Sequence, residues 1–397
     1  MKLSKRIQNI QPSATIAIHT AAMELQRQGI DIADLTAGQP DFPTPDKIKE
    51  AGIEGIRKNF TRYTPITGMY DLRVAIAEKL ARDNQLEYKP DDILVSCGGK
   101  HSLYLAIQVL LEQGDEAIVI SPYWTSYPPQ VELTGAKPVI VPTEQEHDFK
   151  ITRATLEKAV TPNTRVLILN NPNNPTGTLY SKDDLEQIAE IAIKHNIYII
   201  TDEIYEKLVY DGLSAVSIAS LNPEIKNLTI TINGMSKSYS MTGWRIGYAA
   251  GPKEIITAMT RLQTHEISHP ASIAQYASIE AFRNCENDIE IMRQEFEKRR
   301  NFIVERLRQI KGIVTNVPQG AFYIFPRVDA FYGKRAGDTL ISNSEELCLY
   351  LLKSCHLGVV PGSGFGDDRF IRISFAQSME TLREGVKRLE EGLKKLK

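Results

Sequence analysis

The stretch Leu228-Thr-Ile-Thr-Ile-Asn-Gly234, which runs into Met235-Ser-Lys-Ser-Tyr-Ser240, decides the fold prediction. Its first half is rich in β-branched residues and predicts a strand, whereas its second half is small and polar. Lys237 therefore follows directly after a strand. Ligands of open α/β sheets bind at the carboxyl ends of the strands, so we expect this amine to lie in a binding site.

Short apolar strands alternate with amphipathic helices between about residues 90 and 250. This alternation is typical of a mostly parallel sheet that helices cover on both faces. Apolar residues recur at helical spacing in residues 102–111 and 183–194, and Ser181 offers an N-cap for the second helix. The predicted strands are residues 92–96, 117–120, 165–169, 197–200 and 228–232.

The chain of 397 residues is long enough for two domains. A helical signal from residue 273 to about 310, broken near Asn284, is expected to link them. The last part of the chain, with strands at 320–325, 357–360 and 370–374 and a helix at 378–396, is typical of a smaller α+β domain. We predict an α/β fold with an N-terminal arm and part of the small domain in residues 1–45, a large domain in residues 46–283 and a small C-terminal domain in residues 284–397.

Composition narrows the class of partner. The 47 basic and 49 acidic residues are balanced and form no block of like charge, so neither nucleic acid nor a membrane surface is expected as a partner. Four scattered cysteines without a CxxC motif favour reduced thiols. No apolar stretch reaches the length of a signal-peptide core or a bilayer span. We therefore expect a soluble cytoplasmic protein that acts on small metabolites.

Lys237 and Arg245 together indicate a particular cofactor chemistry. A lysine amine attacks aldehydes once burial or neighbouring cations lower its pKa. Arg245, in Thr242-Gly-Trp-Arg-Ile-Gly247, offers a charge for a phosphate. The pair suits pyridoxal 5'-phosphate, which carries both an aldehyde and a phosphate. The lysine of an isolated Ser-Lys pair is more often a solvated surface residue. The residues at the other strand ends are therefore needed to distinguish a cofactor site from a surface lysine.

Two further strand ends carry residues suited to such a ligand. Cys97-Gly-Gly-Lys100 joins a strand to a helix, and the backbone N–H groups of such a turn can hold a phosphate. Joins of this kind are common, so this signal is weak by itself. Asn170-Asn-Pro-Asn-Asn-Pro-Thr-Gly177 contains two prolines that would hold Asn174 rigidly, although an ordinary Asn/Pro turn is the simpler interpretation.

Asp202, in Thr201-Asp-Glu-Ile-Tyr205, follows an apolar strand and could bind the protonated ring nitrogen of pyridoxal. The phenol of Tyr205 could reach the ring hydroxyl, and Trp124 offers a flat face for stacking. Glu203 and Glu206 are interpreted as surface acids. For Trp124 a place in the core is about as good an account as a stacking role.

These motifs occur in the order found in the class I/II aminotransferases, and the chain resembles that family from Pro12 to the final helix. More narrowly, it resembles the bacterial type of aspartate aminotransferase. The resemblance implies a fold-type I pyridoxal-phosphate-dependent transferase. The segments that carry it are Gly98-Gly99-Lys100, Tyr123-Trp124, Asn171-Pro-Asn-Asn-Pro-Thr-Gly177, Asp202-Glu-Ile-Tyr205, Ser236-Lys237, Gly243-Trp-Arg-Ile-Gly247 and Arg372-Ile-Ser-Phe.

The resemblance also implies a role for each site residue. Lys237 would bond covalently to the cofactor and later move a proton between the substrate and the cofactor. Tyr63 would reach the phosphate of a neighbouring subunit, which implies a homodimer with shared active sites. The other implied contacts are Gly99, Lys100, Ser236 and Arg245 with the phosphate, Asp202, Tyr205, Asn174 and Trp124 with the ring, and Arg372, Asn174, Trp124 and Gly38 with the substrate.

The substrate prediction depends on Thr15 and Lys100, because the segment 262–272 contains no arginine that could bind a distal carboxylate. The resemblance implies that these two residues serve a side-chain carboxylate. We therefore expect transfer of the amino group from L-aspartate to 2-oxoglutarate by a ping-pong mechanism. Prephenate, aromatic and other amino-acid substrates stay open as alternatives, as does a carbon-sulfur lyase on the same fold.

Two motif-like patterns are discounted. His265-Glu-Ile-Ser-His269 has the HExxH spacing of zinc proteases, but Pro270 disfavours a helical conformation at His269 and a third ligand is missing. We therefore expect no metal. Gly362-Ser-Gly-Phe-Gly366 lacks the spacing of a dinucleotide-binding loop and is interpreted as a mobile loop close to Arg372.

Overall fold

The computed structural model describes residues 14–397 and positions 4 and 7, without the side chains of residues 14–17 and 19. Thr15 is a predicted substrate contact, and its side chain is among those that lie outside the described part of the structure. The helices are α1 Ala14–Arg27, α2 Asp46–Arg57, α3 Tyr70–Asn84, α4 Gly99–Leu110, α5 Tyr127–Glu132, α6 Arg153–Ala159, α7 Lys182–His195, α8 Pro223–Lys226, α9 Lys253–Thr264, α10 Ser272–Asn284, α11 Glu286–Arg308, α12 Ser344–Cys355 and α13 Met379–Lys394.

The strands form one large sheet and several small ones. Their bounds are β1 Ala33–Asp34, β2 Ile93–Ser96, β3 Glu116–Ser121, β4 Lys137–Pro142, β5 Thr164–Asn170, β6 Tyr198–Asp202, β7 Thr229–Gly234, β8 Gly247–Ala250, β9 Tyr323–Ile324, β10 Arg335–Ala336, β11 Thr339–Leu340, β12 Leu357–Gly358, β13 Val360–Pro361 and β14 Ile371–Ser374.

The large sheet has seven strands in the order β2-β8-β7-β6-β5-β3-β4. Pairing is parallel from β4 through β3, β5 and β6 to β7, and β8 alone runs antiparallel to its neighbours. The mostly parallel sheet and all five of its predicted strands are confirmed, within one or two residues at each end. The sequence patterns gave no indication of β4 and β8.

Helices cover both faces of this sheet. Successive strand residues face opposite sides, so each strand contributes apolar side chains to both faces. Ile118, Leu167 and Ile199 pack in one apolar cluster with residues of α7. The residues next to them in sequence pack in another cluster, with α4 and α9. Side chains buried this completely stabilise the fold by about 1.5–3 kcal/mol each, so the two clusters fix the sheet that positions the site.

A second core is formed mainly by the last third of the chain, together with residues near the N-terminus. It contains the antiparallel sheet β13-β14-β9, helices α12 and α13, and the parallel pair β1-β12. The helical signal after residue 272 is confirmed as α10 and α11, which meet at Cys285. The domain boundaries at residues 45 and 283 stay a prediction. Within the described residues no helix is long and apolar enough to cross a bilayer.

Candidate functional site

A cavity of about 460 Å³ opens where the carboxyl ends of β5, β6 and β7 face β9 and β14. It brings together side chains and glycines that are widely separated in sequence. Of the predicted site residues, those that line it are Gly38, Gly99, Lys100, Trp124, Asn174, Asp202, Tyr205, Ser236, Lys237, Arg245 and Arg372. The structure thus assembles at one place eleven residues that sequence motifs had singled out separately.

Lys237 lies three residues beyond β7, as the sequence predicted. Its Nζ donates a hydrogen bond to the carbonyl oxygen of Gly38. Burial, together with the positive charges of Arg372 and Arg245, lowers the pKa of this amine to about 8, while Asp202 acts in the opposite direction. A free amine is therefore accessible near neutral pH, which is the form that attacks an aldehyde.

One end of the cavity is built to hold an anion. Helix α4 begins at Gly99, and the first N–H groups of a helix have no intrahelical acceptor. A Cβ on Gly98 would overlap the Arg245 guanidinium, so the missing side chain lets the arginine lie against this turn. Arg245 itself has a φ of 59° and donates from Nη1 to the Thr242 carbonyl at 2.8 Å. Ser236 and Lys100 also border this end.

Lys100 extends from the same turn across the face of Trp124, with its Nζ 4.8 Å from the ring centroid. Burial and the nearby charge of Arg245 lower the pKa of Lys100. Trp124 is half-buried at the cavity wall, so the alternative of a fully enclosed core residue is wrong. Cation and ring together form a wall that suits both an aromatic ligand and a carboxylate.

Asp202 ends β6 with its carboxylate inside the cavity. Its Oδ2 accepts a hydrogen bond from the hydroxyl of Tyr127 at 2.8 Å, and its Oδ1 accepts one from the Ile204 N–H at 3.3 Å. Burial raises the pKa of this carboxyl to about 6, against the lowering effect of those two bonds. It is thus ionised at neutral pH. Sequence reasoning missed Tyr127, although it stands three residues after Trp124.

Arg372 is 5% exposed and has neutral partners. Its Nη1 donates to Asn174 Oδ1 at 3.2 Å, its Nη2 donates to the Thr36 carbonyl at 2.9 Å, and its buried Nε has no acceptor among the described residues. The guanidinium lies between the rings of Tyr323 and Phe365, at 4.4 and 4.9 Å. A buried cation with unused donors is a fitting receptor for a carboxylate.

Tyr205 and Tyr323 share a hydrogen bond, with their hydroxyl oxygens 3.1 Å apart. Both phenols are buried and line the cavity. Sequence reasoning identified Tyr205 but missed Tyr323, which lies within the predicted strand at residues 320–325. No local signal distinguishes its side chain from that of Phe322 or Phe325, because the site forms only when β9 packs beside β14.

Tyr63 lies apart from the cavity. Its side chain is 93% exposed and borders a separate surface depression with Thr64 and Tyr70. The structure therefore does not bring it together with the other predicted residues of the same chain. This position is consistent with a contact to another subunit but does not test that prediction.

The segment 265–269 is not a zinc-binding helix. Helix α9 ends at Thr264, and Ser268 has a φ of 63°. His269 uses Nε2 to accept a hydrogen bond from the Thr64 N–H at 3.2 Å, while its Nδ1 contacts the Pro270 carbonyl at 2.7 Å. Both ring nitrogens are therefore engaged within the protein.

The expectation that Glu203 and Glu206 are surface acids needs correction, since the Glu206 side chain is 7% exposed and forms an ion pair with the Lys79 amine. Glu203 is 2% exposed rather than a surface acid, and its Oε1 accepts hydrogen bonds from the hydroxyls of Ser217 and Thr201. The segment interpreted as a mobile loop contains the short 3₁₀ helix Gly362–Phe365, whose Phe365 carbonyl accepts a hydrogen bond from the Tyr123 N–H at 3.0 Å. The segment lies close to Arg372, as the sequence predicted, with the Phe365 ring 4.9 Å from the guanidinium, and its mobility stays a prediction.

The residues present fit pyridoxal 5'-phosphate. The cavity has an anion-binding end at α4 and Arg245, a reactive amine, an acid that can pair with a ring nitrogen, and an arginine with unused donors. The absence of a side chain at Gly98 lets Arg245 lie beside the N-terminus of α4, so that both can act on one anion. A cavity with these groups defines an enzyme that binds a phosphorylated aldehyde beside a carboxylate-bearing substrate.

Comparison with known proteins identifies the family. The family model for aminotransferase class I and II matches residues 30–389. The chain is 46% identical over 392 residues to an aspartate aminotransferase of Bacillus sp. (strain YM-2), with 99% of each chain covered. It is 43% identical to a probable aspartate/prephenate aminotransferase of Aquifex aeolicus (strain VF5), again over 99% of both. The structure of an aspartate aminotransferase from Rhizobium meliloti superposes with a TM-score of 0.96 at 39% identity, over 100% of both chains.

The chain belongs to the class I and II aminotransferases. It is an enzyme of fold-type I, and its cofactor is pyridoxal 5'-phosphate. The family, fold, enzyme class and cofactor predicted from the sequence are thereby confirmed. Its substrates belong to the amino acids and 2-oxo acids.

Proposed function

We propose that this enzyme transfers the amino group of L-aspartate to 2-oxoglutarate, so that oxaloacetate and L-glutamate are formed in a ping-pong mechanism. The observation that carries the proposal is the cavity itself, where the Lys237 amine, the Asp202 carboxylate and the unused donors of Arg372 meet. The aspartate aminotransferase names of the similar proteins support the choice of donor.

We assign the cofactor contacts as follows. Arg245, Ser236 and the N-terminal turn of α4 would hold the phosphate, and Asp202 would pair with the ring nitrogen. Tyr205 and Asn174 would contact the ring hydroxyl, and Trp124 would stack on the ring. When bound, the cofactor supplies an electron-accepting ring that is conjugated with the substrate's α-carbon.

The protein's own groups then handle the proton and the charges. Lys237, with a pKa of about 8, would take the proton from the substrate's α-carbon and deliver it to the carbon of the cofactor. Asp202 is ionised above a pH of about 6 and would keep the ring nitrogen protonated. Arg372, helped by Asn174 and Gly38, would hold the α-carboxylate as a bidentate fork.

We infer that Lys100 binds the distal carboxylate, with Thr15 as its predicted partner. Lys100 is the cation at the Trp124 wall of the cavity, and among the described residues its charged neighbour is Arg245 rather than an acid. The same cation would accept the second carboxylate of prephenate. The Aquifex aeolicus relative is named for both substrates, which makes prephenate the second candidate.

We propose that the enzyme acts in the cytoplasm as a homodimer in which Tyr63 completes the site of the partner. The support is the 93% exposure of Tyr63 beside a second exposed aromatic residue, Tyr70. A fully exposed tyrosine on a structured turn is most simply explained by a partner that covers it.

The test is the absorbance spectrum of the purified protein loaded with cofactor. Aspartate should abolish the band of the lysine-bound cofactor, and 2-oxoglutarate should restore it. Product analysis should find oxaloacetate and glutamate. Values of kcat/KM measured in parallel with 2-oxoglutarate and with prephenate show which of the two the enzyme prefers. Lys237→Ala serves as the control and should lose turnover by several orders of magnitude.

A bound cofactor whose spectrum ignores aspartate would overturn the aspartate assignment. Release of pyruvate and ammonia from a cysteine-like substrate, without amino transfer, would replace transamination with lyase chemistry. Substantial turnover by Lys237→Ala would remove Lys237 as the proton carrier.

A further inference from the structure

Tyr323 occupies a position that no sequence motif identified. It lies in β9, which pairs antiparallel with β14 so that Tyr323 stands opposite Ser374, two residues beyond Arg372. Its side chain is 1% exposed and lines the cavity. Its hydroxyl faces the backbone of Gly38, at 3.4 Å from the place where a Cβ would be. The phenol thus reaches the residue whose carbonyl receives the Lys237 amine.

Two contacts of Tyr323 lead to different parts of the site. Its hydroxyl oxygen lies 3.1 Å from that of Tyr205, which is assigned to the ring hydroxyl of the cofactor. Its ring face lies 4.4 Å from the guanidinium carbon of Arg372, which is assigned to the substrate carboxylate. One side chain therefore touches both the cofactor-directed and the substrate-directed groups.

We propose that Tyr323 is a positioning residue with two separable actions: its hydroxyl orients the Tyr205 phenol toward the cofactor, and its ring face orients Arg372 toward the substrate. This inference rests on the proposed function, because it takes the roles of Tyr205 and Arg372 from there.

The first action follows from the number of protons available. Each phenol has one O–H to donate. If Tyr205 donates its proton to the cofactor's ring oxygen, the bond between the two phenols must be donated by Tyr323. Successive hydrogen bonds polarise one another, so a donor behind Tyr205 strengthens the bond that Tyr205 makes in front.

The second action follows from how Arg372 is held. Among residues 14–397 no carboxylate lies within ion-pair distance of it, and its acceptors are an amide and a backbone carbonyl. The guanidinium carbon instead lies over the Tyr323 ring at 4.4 Å and over the Phe365 ring at 4.9 Å. Ring faces fix the plane of the cation without neutralising it, so its edge stays available for a carboxylate.

The experiment uses the cofactor-loaded enzyme and two substitutions that separate the actions. Tyr323→Phe removes the hydroxyl and keeps the ring, whereas Tyr323→Leu removes both. Tyr205→Phe is the reference for the cofactor arm. Tyr180→Phe is the matched control, because this phenol is also buried, accepts one hydrogen bond, from the Ile151 N–H, and lies outside the cavity.

Two readouts do not depend on turnover. The first is the pH at which the absorbance of the bound cofactor changes. The second is the Kd of maleate, a dicarboxylate without an amino group. Tyr323→Phe should raise the transition pH by about half to one unit, since a hydrogen bond of ordinary strength corresponds to such a shift, and should leave the Kd of maleate within about twofold. Tyr323→Leu should show the same shift and raise the Kd roughly tenfold.

An unchanged transition pH in Tyr323→Phe, with a clear shift in Tyr205→Phe, would overturn the first action. Equal maleate affinity in Tyr323→Leu and the parent enzyme would overturn the second. A Tyr205→Phe variant that shifts nothing would instead remove the role assigned to Tyr205, and with it part of the proposed function. Shifts of equal size in Tyr180→Phe would mark the effects as non-specific and overturn both actions.

Discussion

Two carboxyl groups follow one another at the end of β6, and their side chains face opposite sides of the strand. Asp202 faces the cavity, whereas Glu203 is buried behind it with Ser217 and Thr201 as donors. Burial, followed by the charge of Glu206, raises the pKa of Glu203 to about 8. The local pattern Asp-Glu-Ile-Tyr shows two acids but does not show which is exposed, because that depends on what packs behind the sheet.

Glu203→Gln should stabilise the enzyme at alkaline pH. A folded-state pKa above the unfolded value means that the native state holds the proton more tightly, so the parent loses stability as the pH rises from about 4.5 to about 8. Glutamine keeps an acceptor for both hydroxyls and has no such loss. The gain should be on the order of 2–4 kcal/mol above pH 8 and near zero at pH 5.

Thermal unfolding of parent and variant across this pH range measures the difference. An offset that is the same at pH 5 and pH 9 would mean that Glu203 does not titrate in this window. Ser217→Ala is a useful companion variant, because it removes a hydrogen-bond donor to the Glu203 carboxylate. This variant should lose more stability at high pH than the parent enzyme does.

Residues that line the cavity were predictable where the motif stands at or just beyond the end of a strand, as for Lys237, Asp202 and Asn174. Tyr127 and Tyr323 were not, for a physical reason. Each acts through a group that lies far away in the sequence: Tyr127 through Asp202, 75 residues on, and Tyr323 through Tyr205, 118 residues back. Nothing in the neighbouring residues records such a contact.

At the scale of elements, β8 is the strand that completes the anion-binding end. It lies antiparallel between β2 and β7, with Gly247 opposite Ser96 on one side and Gly234 on the other. A Cβ on Gly247 would overlap the backbone of Gly98 and Gly99. The glycine therefore allows β8 to approach the turn from which α4 begins.

Gly247→Ala should push this turn away from β8 and weaken binding of the cofactor phosphate. We expect at least a tenfold rise in the Kd of pyridoxal 5'-phosphate and a loss of about 1–3 kcal/mol in stability, as for other additions to a tightly packed site. The measurement is fluorescence or absorbance titration of the apo-enzyme with cofactor, together with thermal unfolding of the apo-enzyme.

Gly243→Ala is the matched control for that experiment. It lies in the same motif, but a Cβ there would meet nothing within 4 Å. Its cofactor affinity should stay within about twofold of the parent value, since a new methyl group in open space changes no contact. Equal behaviour of the two variants would show that the close approach of β8 does not shape the turn.

The two strands that sequence patterns did not indicate are the atypical members of the sheet. β4 is an edge strand that contains Pro138 and Pro142, and proline within a run argues against a central strand. β8 has only four residues, Gly-Tyr-Ala-Ala, of which three are small and none is β-branched. The buried parallel strands were predictable because their apolar runs are long and their helices intervene at regular spacing.

At the scale of the whole molecule, the proposed homodimer depends on the turn that carries Tyr63. The turn that carries Tyr63 is held firmly: His269 accepts from the Thr64 N–H, and Gln275 donates to the Thr64 hydroxyl at 3.1 Å. The Tyr63 ring meets His269 edge-on at 5.7 Å, yet the residue is 93% exposed. A structured turn that presents a tyrosine to the exterior suits a contact with a second copy of the chain.

Subunit hybrids test that arrangement. Tyr63→Phe homodimers should bind the cofactor about tenfold more weakly through loss of a charge-assisted hydrogen bond, and Lys237→Ala homodimers should be inactive. In a hybrid of the two, the subunit with an intact Lys237 receives an intact Tyr63 from its partner. Differently tagged subunits, purified as a mixed dimer of twice the 44.6 kDa chain mass, should therefore show one site with parental cofactor affinity and about half the parental activity. A hybrid that binds cofactor as weakly as the Tyr63→Phe homodimer would place Tyr63 in its own subunit's site, and a species of 44.6 kDa that retains full activity would contradict shared sites altogether.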